Sequence, residues 1–169
     1  MRNFTVFTDG GSRGNPGPAA IGVVISDQFN RQDLYRQGLD KREAKLPSGS
    51  LASKPVKREY GEYIGITTNN EAEYQAVIFA LKKLKQLIGN EKASEAHIVF
   101  YVDSELLMKQ LNHEYKVKEE NIQKLFLEVH NLRLDFGKVE FRHVLRGKNT
   151  EADRLVNEVL DREANRLDL

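Results

Sequence analysis

Four carboxylates occupy positions where a packed domain gains nothing from a charge. Asp9 ends the apolar strand pattern Phe4-Thr5-Val6-Phe7-Thr8, and Asp103 ends a second run, Ile98-Val99-Phe100-Tyr101-Val102. Glu73 opens a strongly amphipathic helical pattern, and Asp153 opens another. Strand ends and helix starts are where α/β folds place chemistry. Carboxylates gathered there without basic partners repel one another and raise each other's pKa unless cations neutralise them. An oxygen-only donor set suits Mg²⁺ or Mn²⁺, and two such ions can clamp a phosphodiester. The pattern therefore points to metal-dependent phosphate chemistry.

Each acid taken alone has a structural alternative. Asn70-x-x-Glu73 reads as a capping box, and Thr150-x-x-Asp153 could cap the last helix, where an early acid also suits the helix dipole. Asp9 before Gly10 could form a turn, and Asp103 could cap a helix starting at Ser104. Helical phase separates Glu73 from its neighbour Glu71. At about 100° per residue, Glu73 lies roughly 50° from the centre of the Val77/Leu81/Leu84/Ile88 stripe and Glu71 roughly 110°. Glu73 thus leans toward the core and Glu71 toward solvent.

The elements that must position these acids follow from periodicity. Strands are expected at 3–8, 20–26 and 60–67, with 33–39 as a possible partner strand. A Gly/Pro-rich turn, Asp9 to Pro18, joins the first two. A helix is expected over 70–88, stopped by Gly89. The apolar run 97–102 reads as a strand buried on both faces. Helices near 104–112 and 119–134 follow, then a strand in which Val139, Phe141, His143 and Leu145 alternate, and a helix over 150–166. Three consecutive strands suggest an antiparallel meander, and a helical crossover sets the run at 97–102 parallel beside the first strand. The expected fold is α/β: a five-stranded mixed sheet, a three-strand antiparallel meander plus two parallel strands, with helices on both faces. Asp9 and Asp103 would then leave the same sheet edge side by side.

Length and composition bound the rest. The 169 residues suit a single domain, 1–169, with a loop insertion at about 40–58. No apolar stretch approaches a membrane span and no signal-peptide core opens the chain, so a cytoplasmic protein with no membrane partner is expected. There is no cysteine, which excludes disulfides and thiolate metal sites. Lys and Arg total 26 against 25 Asp and Glu, so the net charge of +1 carries no global nucleic-acid footprint. Locally, residues 41–58 hold six basic residues (Lys41, Arg42, Lys45, Lys54, Lys57 and Arg58) against Glu43 alone, enough to contact phosphate if not merely a solvated loop. His97, His113, His130 and His143 lack metal-ligand spacing, and His143 reads as a packed residue on the inward face of its strand.

Four motifs in order resemble those of type 1 ribonuclease H: Thr8-Asp9-Gly10-Gly11-Ser12-Arg13-Gly14-Asn15-Pro16-Gly17-Pro18, Thr67-Thr68-Asn69-Asn70-Glu71-Ala72-Glu73-Tyr74, Val102-Asp103-Ser104, and Asn149-Thr150-Glu151-Ala152-Asp153. The resemblance implies the ribonuclease-H-like fold and an endonuclease that hydrolyses the RNA strand of an RNA/DNA hybrid by two metal ions. Products would carry 5′-phosphate and 3′-hydroxyl ends. It implies Asp9, Glu73, Asp103 and Asp153 as the catalytic, metal-holding acids, with Mg²⁺ as cofactor and Mn²⁺ as a substitute. It implies hybrid contacts from Gly10, Gly11, Ser12, Asn15, Asn69 and Asn70, and a DNA phosphate held by Thr68. Short amides suit such a role because they both donate and accept at 2′-hydroxyls and base edges. A monomer is the expected state. A module that kept the fold and binds nucleic acid with weak catalysis is the alternative.

Two departures from that pattern stand out. Many relatives carry a histidine in the loop before the fourth acid. Here the loop is Val144-Leu145-Arg146-Gly147-Lys148-Asn149, and Arg146 takes the place, as in a short-looped branch of the family. A guanidinium does not shuttle protons at neutral pH, so it would act by charge. Residues 112–120 are also too short and too mixed in charge to be the basic protrusion of many relatives, and 41–58 is the candidate substitute.

Overall fold

The fold is that of a computed structural model, which describes residues 2–28 and 56–167. Its elements are β1 (Asn3–Ser12), β2 (Gly17–Gln28), β3 (Lys57–Thr67), α1 (Asn69–Ile88), the one-turn α2 (Asn90–Ala93), β4 (His97–Val102), α3 (Glu105–Leu111), α4 (Glu120–Arg133), β5 (Lys138–His143) and α5 (Thr150–Leu167), with a 3-10 turn at Arg146–Lys148. The sheet order is β3-β2-β1-β4-β5. β1–β2 and β2–β3 pair antiparallel, whereas β1–β4 and β4–β5 pair parallel, as the meander-and-crossover reading requires. Thr8 lies opposite Val102, so Asp9 and Asp103 are the next residues of two adjacent parallel strands.

Side-chain alternation divides the sheet between two helical layers. Phe4 and Val6 of β1 and Ile98 and Phe100 of β4 face α1, whose Val77, Leu81, Leu84 and Ile88 are buried against them. Burying each such side chain contributes about 1.5–3 kcal/mol, which fixes α1 on the sheet. α4 closes the same layer with Ile122 and Val129. On the other face, Val156, Val159 and Leu160 of α5 pack on Ala20 of β2. α1 ends where expected, at Gly89, whose φ of 79° favours glycine.

Three expectations are corrected. The glycine segment after Asp9 is not yet a turn: β1 continues to Ser12, paired residue by residue with β2, and the turn is confined to residues 13–16. β4 is buried on one face alone, because α5 covers β1, β2 and β3. On its other face Tyr101 stacks on Phe7, with ring centroids 5.0 Å apart. His143 is exposed, its Nε2 3.1 Å from the Asp103 carbonyl oxygen, and Leu145 is 68% exposed, because β5 ends at His143 and the alternation ends with it.

The partner strand at 33–39 and the basic stretch up to residue 55 lie outside the described residues. Of that stretch, Lys57 and Arg58 lie on β3, and Lys57 is paired with Glu59, at 3.0 Å, and with Glu151. Residues 112–119 join α3 to α4 without a helix of their own. Among the described residues, no helix is long and apolar enough to cross a membrane.

Candidate active site

The capping groups of each helix decide which acids are free. At α1 the box is closed by Thr68 and Glu71. The Thr68 hydroxyl accepts from the Glu71 amide at 3.2 Å, and the Glu71 carboxylate accepts from the Thr68 amide at 3.0 Å. Glu73 is therefore not the capping acid. At α3 the cap is Ser104, whose Oγ accepts from the Leu107 amide at 3.1 Å, so Asp103 is not needed for it. At α5 the Asp153 amide donates to the Asn149 carbonyl at 3.1 Å, which leaves the Asp153 carboxylate projecting from the first turn. Asp9 sits within β1 opposite Gly22 and forms no turn. At α1 and α3 the caps are thus taken by neighbours of Glu73 and Asp103, and all four acids stay half-buried.

Two close backbone approaches bring the helices to the strand. A Cβ on Gly10 would lie 2.2 Å from the Ala72 carbonyl carbon and 2.3 Å from the Glu73 nitrogen. A Cβ on Gly22 would lie 2.1 Å from the Ala152 carbonyl oxygen. Only glycine lets α1 and α5 descend this far onto β1 and β2. The first contact places Glu73 beside Asp9 from one side, and the second brings Asp153 from the other. Gly10 was legible in the sequence as a site glycine, but for its freedom near a ligand rather than for helix contact. Gly22 was missed, since a glycine inside an apolar strand gives no signal beyond its rarity there.

The result is an open hollow of about 360 Å³ lined by Asp9, Gly10, Gly11, Ser12, Arg13, Asn69, Glu73, Asp103, Ser104, Arg146, Asp153, Val156, Asn157 and Leu160. Asp9 is at its centre electrostatically. Burial, then the charges of Asp103, Asp153 and Glu73, push its carboxyl up to about 7, against a small opposing pull from the Gly10 amide. Burial and Asp103 push Glu73 up to about 7 as well, although hydrogen bonds from Ser104 and Asn69 oppose the shift. Asn69 Nδ2 donates to Glu73 Oε1 at 3.2 Å. Arg146, 83% exposed, holds Nη2 3.4 Å from Asp153 Oδ1, so it borders the hollow as a solvated cation.

The amide residues form a rim on the Asn69 side. The Asn69 backbone amide donates to Asn15 Oδ1 at 3.1 Å, and the Ser12 amide donates to Asn69 Oδ1 at 3.3 Å. Ser12 Oγ donates to the Thr67 carbonyl at 2.9 Å. Thr68 is committed to the cap, though it stays half-exposed. Asn70 lies elsewhere: it lines an adjoining hollow of about 190 Å³ with Glu73, Tyr74, Leu106, Gln110, Lys116 and Lys118 among its walls.

An all-oxygen, charge-crowded donor set with two carboxyls raised toward neutrality is the chemistry that a hard divalent cation would relieve. Among the described residues, however, no three His, Asp or Glu side chains are already closed on one point as a metal cage. The acids ring the hollow rather than converge. Uncompensated like charges stand apart, and Arg146, Ser104 and Asn69 hold two of them from the outside.

Comparison with known proteins gives a consistent picture. A family model described as reverse transcriptase-like matches residues 61–159. A bifunctional protein of Mycobacterium tuberculosis is 33% identical over 156 residues, which span 92% of this chain and 35% of the relative. A ribonuclease HI of Halobacterium salinarum is 32% identical over 155 residues, 92% of this chain and 63% of the relative. The chain thus spans about a third to under two thirds of the length of these curated relatives. Among solved structures, LC11-RNase H1 in complex with RNA/DNA hybrid is 35% identical, with a TM-score of 0.74, covering 95% of this chain and 99% of that one.

Proposed function

The chain belongs to the type 1 ribonuclease H family, and from that premise we propose that it hydrolyses the RNA strand of RNA/DNA hybrids with two divalent ions, Mg²⁺ or in its place Mn²⁺. The observation that carries the reading is the single hollow lined by Asp9, Glu73, Asp103 and Asp153, four acids from distant parts of the chain. A binding module gains nothing from aiming four carboxylates at a polyanion. Asp9, Glu73, Asp103 and Asp153 are the residues that would hold the ions. When bound, the ions supply activation of the attacking water and charge compensation at the leaving oxygen.

The chain's own groups do the rest. The four acids, fixed by β1, β4, α1 and α5, orient the site against the scissile phosphodiester. Water adds to phosphorus, the bond to the 3′ oxygen breaks, and the proton ends on that oxygen, giving 5′-phosphate and 3′-hydroxyl ends. The Gly10–Ser12 backbone and the Ser12–Asn69–Asn15 rim are the candidates for 2′-hydroxyl and minor-groove contact, since their hydrogen bonds already hold the amides in place. Thr68 is the candidate for a DNA-strand phosphate, and Asn70, from the adjoining hollow, for a further hybrid contact. Arg146 would steady the phosphate by charge. We assign the chain a single domain acting as a monomer in the cytoplasm, with the 41–58 segment adding charge to substrate binding.

The test is a labelled hybrid incubated with Mg²⁺, with Mn²⁺ and with EDTA. Cleavage is expected with either ion and not with EDTA, and Asp103→Asn should abolish it while the fold persists. Binding without cleavage under every condition would favour the weakly catalytic binding module. Undiminished cleavage by Asp103→Asn would remove the assigned role of the acid.

A further inference from the structure

Buried polar side chains are rare in this core, and their placement is not random. Among the described residues, the buried polar ones are Thr8, Gln110 and Asn149. Asn149 is 1% exposed and lies at the junction of the 3-10 turn and α5. Its Nδ2 donates to the Thr8 carbonyl at 2.9 Å, across 141 residues of sequence. Its own carbonyl accepts from the Asp153 amide at 3.1 Å. The Thr8 carbonyl belongs to the peptide that leads into Asp9. A single side chain and its backbone thus grip the peptide groups that carry two of the four acids.

This is a poor arrangement for stability alone. The Asn149 Oδ1 is buried and meets no donor among the described residues, so the amide is desolvated for one side-chain bond. An apolar side chain with the same branched outline would bury no unpaired oxygen. A half-satisfied amide makes sense where the geometry it enforces matters more than the energy it returns.

We propose that Asn149 is a positioning residue: it sets the separation of Asp9 and Asp153 by tying β1 to the N-terminus of α5. It touches neither substrate nor the reacting atoms, and acts through the two peptides it binds. The inference rests on the metal-dependent reading above and deepens it, because the brace joins the two backbone segments that carry Asp9 and Asp153, two of the acids that would hold the ions. Asp153 is one of the like charges that bear on Asp9, so the two need a brace to stay in place. Without it, α5 keeps its apolar seat on Ala20 through Val156, Val159 and Leu160, and the fold survives while the acid pair loosens.

The experiment compares Asn149→Leu with Leu84→Ala, a cavity variant in the core of α1. Binding of Mg²⁺ and Mn²⁺ to the substrate-free protein is measured by calorimetry and by ion-induced shift of Tm, beside urea stability in EDTA. Asn149→Leu should weaken ion binding about ten- to a hundredfold. It should raise the ion concentration for half-maximal cleavage in proportion and leave KM for the hybrid within about twofold, as expected when outer-shell support is lost. Leu84→Ala should lose stability with ion binding unchanged. Should the leucine variant fail to fold, Asn149→Ser, with a shorter donor, takes its place under the same expectation. Equal ion affinity in the wild type and the Asn149 variant, or equal loss in the Leu84 control, overturns the positioning role. A wild-type chain that gives no ion response at all overturns the metal reading and this inference with it.

Discussion

The Thr68 hydroxyl and the Glu71 amide, 3.2 Å apart, close a reciprocal cap at the start of α1, with the Glu71 carboxylate returning to the Thr68 amide. Two acids two residues apart on α1 are thereby given opposite work. Glu71 is lowered from its ordinary value by hydrogen bonds from Thr67 and Thr68, whereas burial lifts Glu73 to about 7. Glu71→Ala should cost about 1 kcal/mol of stability and leave turnover nearly intact. Glu73→Gln should remove turnover and leave stability equal or higher. Paired urea melts and hybrid-cleavage rates would show it, and a reversed pattern would exchange the two assignments.

Stability without divalent ions should fall as pH rises from about 4.5 to 7. Asp9 and Glu73 carry folded-state values near 7 against ordinary values of 3.8 and 4.5. In that window the folded chain binds more protons than the unfolded chain, so their contribution is complete at low pH and is lost on passing 7. At about 1.4 kcal/mol per pKa unit, the loss is on the order of a few kcal/mol. Urea midpoints in EDTA at pH 5, 6, 7 and 8 measure it, and Asp9→Asn should flatten the slope. Glu71 contributes with the opposite sign, losing its share as pH drops below the ordinary carboxylate value. A midpoint rising from pH 5 to 8 would contradict the crowding of the acids.

Gly10→Ala should separate α1 from β1. The added Cβ would sit 2.2 Å from the Ala72 backbone, and neither element can yield without moving Glu73 away from Asp9. A loss of about 3 kcal/mol or more, with loss of cleavage, is expected. Gly147→Ala is the control: nothing lies within 4 Å of its Cβ position, and stability should change by less than about 0.5 kcal/mol.

Arg146→Ala should leave stability unchanged, because its contact with Asp153 is 3.4 Å long and the side chain is 83% exposed. Its effect should appear in turnover, about tenfold, at the scale of one solvated charge beside a phosphate. Arg146→Lys should recover most of the rate if charge alone is used. Equal rates in all three proteins would reduce Arg146 to a surface residue.

Periodicity and motif spacing were enough to place α1, with its stripe and its stop at Gly89, the strand at 97–102 and the buried face of α5. Local chemistry also marked all four acids as unusual, since a carboxylate after an apolar strand is visible without coordinates. His143 and Leu145 misled because alternation continues in sequence after the strand has left the sheet. The strand expected to be covered twice is covered once, because which strands lie under α5 depends on where a helix 50 residues away settles.

What the linear order could not decide is which acid caps a helix and which faces the hollow. That depends on Thr68, Ser104 and Asn149 taking the capping and bridging bonds, and on Gly10 and Gly22 admitting two helix backbones to one sheet edge. Residue type fixes what a side chain can do, and it was written in the sequence for Asp9, Glu73, Asp103 and Asp153. Burial and, after it, mutual repulsion arise only once the chain is folded, so the raised carboxyls at Asp9 and Glu73 come from tertiary structure alone.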